Sequence, residues 1–294
     1  MKENLTKPRV LASGLHFGEA PRWHDGVLWF SDFFDYAVKT VDLDGRVKVK
    51  VKMSDRPSGL GWLPDGRLLI VSMTARALMR LDDGHVVLHA DLSPIATFHC
   101  NDMVVDSVGR AYVGNFGFDL DTNEINGTLD QVLATHEGAT LARVDPDGSI
   151  HSAADGLMFP NGTVITPDGR TLIIAESFGR RLTAFDIADD GSLSNRRLWA
   201  DLDRRVPDGI CLDADGAIWV ANPITPECFR VAEGGEILDV IETDNRCFAC
   251  MLGGPERRTL FMLTSRYSLA VEASVHRTGN VLIADVETPG AGLP

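Results

Sequence analysis

The chain has no apolar run approaching the roughly 20 residues that a membrane-crossing helix needs, and its start, MKENLTKPRV, has no secretory hydrophobic stretch. A cytoplasmic location is the resulting expectation. Positive charge is scarce: 28 Lys and Arg against 42 Asp and Glu give a net charge of −14. The basic residues are scattered, so neither nucleic acid nor an anionic membrane is an expected partner, because phosphate binding needs clustered Lys and Arg. Cysteines number five, an odd count that suits reduced thiols better than a disulfide framework. Cys247 and Cys250 form a lone CxxC with no second pair and no His pair to complete a zinc site, and are read as structural thiols. There is no GxSxG elbow, which disfavours a serine hydrolase. No long amphipathic helix pattern occurs; the helical stretch at residues 130–135 is too short to define a layer.

What is present is a repeat, visible in its turns: WHDGVLWFSD, LPDGRLLIVS, DSVGRAYVGN, TPDGRTLIIAE, DADGAIWVAN and GPERRTLFMLTS. Each joins two runs rich in Val, Ile, Leu or aromatic residues through a tight turn, the mark of a β-hairpin. The anchors Gly26, Gly66, Gly109, Gly169, Gly216 and Arg257 lie 40, 43, 60, 47 and 41 residues apart, the period of four-stranded propeller blades. A second hairpin follows in the first five units. The sixth lacks one strand, which the unused run Arg9-Val10-Leu11-Ala12 can supply by pairing with the last segment and closing the ring. The expected fold is therefore all-β, one six-bladed β-propeller domain over residues 1–294. The 60-residue interval holds an excess near residues 115–140, read either as a loop at the pocket mouth or as a disordered excursion.

Equivalent positions of the innermost strands face one another across a propeller's channel. Eight residues before the anchors stand Ser58, Asn101, Asn161, Asp208 and Ala249, and seven before the first stands Glu19. Four of these six are oxygen donors. Two carboxylates and two amides converging on a dry point would repel or stay unsatisfied without a divalent cation. Such donors suit Ca²⁺, Mg²⁺ or Mn²⁺, and a small carboxylate-containing site also takes Zn²⁺ or Fe²⁺. The alternative is that Asn and Asp here merely serve local turns. Phe17, Phe98, Phe116, Phe118, Met158, Phe159, Phe178 and Phe248 flank the strand starts or the insertion, and either line an apolar pocket or pack between blades.

The motifs GEAPRW, CNDM, PNG, PDGI, ACMLGGPERRTLF and PGAG, spread over nearly the whole chain, resemble those of the family of senescence marker protein, gluconolactonase and luciferin-regenerating enzyme. The resemblance implies a six-bladed propeller with a divalent metal held by Glu19, Asn161 and Asp208, and with Asn101 beside it contacting substrate. It also implies hydrolysis of small lactones, with Asp208 as the candidate general base. Where sugar-lactonase relatives have an Arg two residues before the third-blade Asn, this chain has His99, and their acidic sugar-binding residue aligns with Asp119. A substrate less polar than a simple aldonolactone is the corresponding expectation. The rival readings are a non-catalytic propeller with the cation as a structural plug and a protein-binding rim, or a metal-dependent esterase or phosphotriesterase on the same fold.

Overall fold

The computed structural model describes residues 7–293 and arranges them as six four-stranded antiparallel sheets. Blade one runs from its inner strand Gly18–His24 to its outer strand Val47–Lys52, and blade two from Pro57–Trp62 to His85–Asp91. Blade three runs from Cys100–Val105 to Ile150–Leu157, blade four from Pro160–Ile165 to Leu193–Asp201, and blade five from Ile210–Leu212 to Ile237–Glu242. Each inner strand packs on the next, and that of blade six, Arg246–Gly253, packs on that of blade one. The ring is closed, and the fold is a six-bladed β-propeller.

The six hairpin anchors adopt the same backbone state. The five glycines have φ between 71° and 95°, and Arg257 takes the same left-handed state at φ 54°. A repeat of turn chemistry in the sequence is thus a repeat of geometry. Between blades lie continuous apolar seams, such as Val104, Tyr112, Ile165, Leu172 and Ile174 where blades three and four meet. The inner strands approach closely because the residue after a ring position is often glycine. A Cβ on Gly162 would lie 2.5 Å from Ile210 N, and one on Gly209 would lie 2.7 Å from Ala249 Cα, so PNG and PDG motifs are packing requirements as well as carriers of Asn161 and Asp208.

Two terminal segments complete the ring. Arg9–Leu15 pairs antiparallel with Gly279–Asp285, from Arg9 opposite Ile283 to Leu15 opposite Gly279, and so forms the fourth strand of blade six. At the other end of the chain, residues 286–293 cross the face opposite the inner-strand starts. The Arg257 carbonyl accepts from Gly290 N (2.8 Å), the Leu212 carbonyl from Ala291 N (2.9 Å), and Leu293 exchanges two bonds of 2.9 Å with Ile165. This strap ties blades six, five and four together.

The excess at residues 115–140 carries two short helices, Leu120–Ile125 and Leu129–Leu133, where a loop or a disordered excursion was expected. A second insertion, between Thr259–Ser265 and Gly279–Asp285, carries the helix Ala270–Ala273. The four-strand bookkeeping of blade six had concealed it.

Ring closure has a direct consequence. Deleting residues 1–13, of which the first six lie outside the described residues, removes most of the strand that covers Gly279–Asp285. A fall in Tm of about 5–10 °C is expected from a loss of a few kcal/mol, and an unchanged melting curve would reject this strand's role.

Candidate active site

The inner strands are irregular where their side chains reach the channel. Pairing with the second strand slips between Glu19 and Arg22, Pro57 and Leu60, Cys100 and Met103, Pro160 and Thr163, and Cys247 and Ala249. Bulges re-aim side chains. Here they recur at the predicted ring positions, and in blade one the bulge puts Ala20 at φ 48°. The strand of blade five starts later, at Ile210, and Asp208 is held ahead of it by Asp208 N donating to Ala221 O at 3.0 Å.

Glu19, Asn101 and Asn161 are buried, at 9%, 4% and 8% exposure, while Asp208 keeps part of its surface open to the channel. Glu19 and Asp208 are close enough that the charge of Asp208 raises the Glu19 pKa, after burial, which is the larger cause. The Asp208 pKa is also raised well above normal, mainly by burial, with Asn161 hydrogen-bonding against the trend and Asp102 adding to it. The Asn161 amide nitrogen also donates to Ser177 Oγ at 3.2 Å. The amide of Asn101 donates to Pro160 O at 3.0 Å, and its Oδ1 is buried without a partner.

Two charged residues of this centre were missed in the sequence. Asp102, next to Asn101, would point to the opposite face of a regular strand; the bulge instead leaves both side chains buried. Asp102 pairs with Arg22 at 2.7 Å, and the guanidinium also donates to Leu60 O, Pro21 O and Met103 O.

His99 and Asp119 lie above the ring, at the mouth. The ring of His99 stacks near Phe98 (centroids 4.1 Å) and meets Phe116 at 6.1 Å. Burial, then the positive charge of Arg56, lowers its pKa, keeping a neutral imidazole. Asp119 caps the helix Leu120–Ile125, its Oδ1 accepting from Thr122 N at 3.0 Å, and its charge is felt by His99. The two long insertions belong to blades three and six, which stand opposite each other in a ring of six. They meet in one apolar cluster: Ala273, with Ala270 and Tyr267 beside it, packs together with Phe116 and with Phe17, Phe33, Phe34 and Phe248. A second aromatic group, Phe118, Phe159 and Phe178, adjoins through Phe116, whose ring stacks on Phe159 at 4.5 Å. These phenylalanines pack with one another, one of the two roles that the sequence allowed.

A family model described as SMP-30/Gluconolactonase/LRE-like region matches residues 17–266. The chain belongs to this family. It is 26% identical over 304 residues to a 6-deoxy-6-sulfogluconolactonase from Pseudomonas putida, an alignment spanning 99% of this chain and 98% of that protein. Its fold is that of luciferin-regenerating enzyme (TM-score 0.81, 17% identity, 98% of each chain). It is also that of a calcium-binding protein, regucalcin, from Agrobacterium tumefaciens (TM-score 0.79, 20% identity, 98% of this chain and 97% of that one).

The donors of this SMP-30/gluconolactonase-like chain fit a divalent cation. Among the described residues no three His, Cys, Asp or Glu side chains stand close enough to hold a metal; the ring instead mixes two carboxylates with amides. The charged side chains acting on one another are Glu19, Asp102, Asp208 and Arg22. When ionised, these three carboxylates and one guanidinium leave an excess of two negative charges. The unpartnered Asn101 Oδ1 is a further acceptor with no donor, and rotation of the Asn161 amide offers its oxygen to the same space. The five cysteines are all buried and free; Cys211 and Cys250 face each other at 3.8 Å between blades five and six.

The raised pKa values of Glu19 and Asp208 set the sign of a pH effect. Metal-free folded protein holds their protons more tightly than the unfolded chain does, where the ordinary values are 4.5 and 3.8. Its stability therefore falls as pH rises from those values toward the raised ones. Urea unfolding of metal-free protein between pH 5 and 8 (about three units, where this linkage acts) should show that slope, and Glu19→Gln should flatten it. A slope of the opposite sign, unchanged in the variant, would mean the carboxylates are not in conflict.

Proposed function

We propose that the protein is a divalent-metal-dependent hydrolase that opens the ring of a small lactone. The observation that carries the reading is the uncompensated pair Glu19 and Asp208, buried beside an acceptor, Asn101 Oδ1, that has no donor. Glu19, Asn161 and Asp208 would hold the cation. Once bound, a divalent ion supplies Lewis acidity toward a carbonyl and water of lowered pKa. Hard oxygen donors favour Ca²⁺, Mg²⁺ or Mn²⁺, and the two carboxylates also admit Zn²⁺ or Fe²⁺. The family and the lactonase name of the Pseudomonas relative support the reaction class, and the calcium-binding regucalcin neighbour supports a divalent ion.

The chain's own residues divide the remaining work. Asp208, which is only partly buried, is the general base: one carboxylate oxygen would hold the metal while the other accepts the proton of the attacking water. Asn101, fixed through Nδ2 on Pro160 O, sits beside the ligand ring and contacts the substrate. His99, neutral and held among Phe98 and Phe116, contacts the substrate from the mouth, as Asp119 does with the oxygen left free by its helix cap. The aromatic chamber keeps water low around the ester, which strengthens every polar contact within it.

Three outcomes follow. Chelation with EDTA should abolish lactone hydrolysis and a divalent ion should restore it; full activity in metal-free protein would sink the mechanism. Asp208→Asn at saturating metal should still fold and bind metal, yet lose roughly 10²- to 10⁴-fold in kcat, the usual worth of a general base. Wild-type kcat in that variant would make Asp208 a ligand alone. His99→Ala should change the ratio of kcat/KM between lactones while leaving metal affinity near wild type, and a lost metal site would refute its placement at the mouth.

A further inference from the structure

Resting on the lactonase reading, we infer that Arg56 is an anion-binding residue of the same chamber, and that the favoured lactone carries an anionic substituent, a carboxylate in the simplest case, remote from its ring ester.

Arg56 stands two residues before the ring position Ser58, as His99 stands two before Asn101 and Phe17 two before Glu19. It therefore belongs to the layer directly above the candidate metal ligands. Its guanidinium lies over the face of Phe34, 5.1 Å from the ring centroid, and Phe34 packs in the aromatic wall with Phe17 and Phe33. The half-buried guanidinium takes part in no ion pair among the described residues, although its charge reaches both His99 and Asp121. The surrounding carboxylates have other duties. Asp55 accepts from Ser72 Oγ at 2.7 Å, Thr74 N at 3.0 Å and Ala75 N at 2.9 Å, and also from the Thr74 hydroxyl. Asp119 caps its helix.

A guanidinium stacked on a phenyl ring is held in one plane with its donor edge free, the arrangement that recognises a carboxylate by two parallel hydrogen bonds. Half-burial among apolar rings strengthens such a bond and penalises a neutral occupant that leaves the donors unmet. The chain's net charge of −14 repels anions at long range, so an anionic substrate needs a local cation of this kind. The apolar walls then carry the body of the lactone, and the guanidinium its charged end.

The test compares a neutral aldonolactone with the aldarolactone that adds a terminal carboxylate, using metal-replete full-length protein. Arg56→Ala should lower kcat/KM for the aldarolactone by roughly 10- to 100-fold, the worth of hydrogen bonds to a charged group, and leave the neutral lactone within about threefold. Arg56→Lys, which keeps the charge without the planar fork, should fall between. Equal losses on both lactones, or no loss on the charged one, overturns the assignment. Calorimetric binding of the aldarate dianion, the ring-opened form, gives a readout without turnover: affinity should drop in Arg56→Ala, and unchanged affinity overturns the proposal. Wild-type protein that binds the aldarate through Arg56 yet opens neither lactone would instead defeat the lactonase reading while leaving the anion site standing.

Discussion

Two carboxylates brought together at one point of the channel, Glu19 buried and Asp208 partly so, govern most of what is irregular in this molecule. Burying an unpaired carboxylate costs several kcal/mol, about the stability margin of an ordinary domain. The chain tolerates Glu19 and Asp208 together because each has local support: Ala20 N donates to Glu19 Oε2 at 2.9 Å, and Asn161 lies against Asp208. The one buried guanidinium nearby does not resolve the conflict. Arg22 pairs with Asp102 and donates to three backbone carbonyls, so it neutralises Asp102 and not Glu19 or Asp208. What remains is a charge deficit of the size a divalent ion supplies, in a position that only the convergence of inner strands creates.

That convergence depends on closure. Six inner strands each meet two neighbours, and removing one contact would open an edge in every dimension that matters to the site. The chain closes the ring twice. Arg9–Leu15 covers the outer edge of blade six, and residues 286–293 stitch the far face of blades six, five and four. The first closure acts at the rim and the second under the channel. The mouth is left to the insertions of blades three and six, which share one apolar cluster through Phe116 and Ala273. Rigid elements thus surround the ligand ring on every side except the one by which substrate arrives.

The fold was legible because its repeat lies in turn chemistry. An Asp/Gly-type turn fixes φ locally, and six such turns at blade spacing left little freedom; even Arg257, with no glycine, adopts the same backbone state. The ring of Glu19, Asn101, Asn161 and Asp208 was legible for the same reason, as a fixed offset from those turns. Asp102 and Arg22 were not, because strand alternation assigns neighbours to opposite faces and the bulge that overrides it has no residue signature of its own. Nor was Arg56, which a composition reading counts as one more scattered base. The helices of residues 120–133 and 270–273 are short and lack an apolar stripe of their own: the first two bury no residue, and the third buries Ala273 alone. Local sequence therefore encodes what local backbone decides, and misses what is decided by contact between distant blades.

This difference separates two parts of the site. The ligand ring is set by the blade register, so changing it means disturbing bulges and close-packed glycines such as Gly162 and Gly209, where even one Cβ would strike the next strand. The mouth is set partly by side chains ahead of the strands and on short insertions, where His99 and Arg56 are only half-buried, and partly by buried phenylalanines such as Phe17 and Phe248 that belong to the core. Substitutions at His99 and Arg56 therefore cost little stability, whereas substitutions among the buried phenylalanines or in the ring disturb packing. The ring is accordingly the part most tightly bound to the fold, and the half-buried side chains of the mouth the part most loosely bound. In this chain the mouth combines apolar walls, a neutral imidazole and one guanidinium without a counter-ion. Those three features, rather than the oxygen donors of the ring, give the mouth its own chemistry.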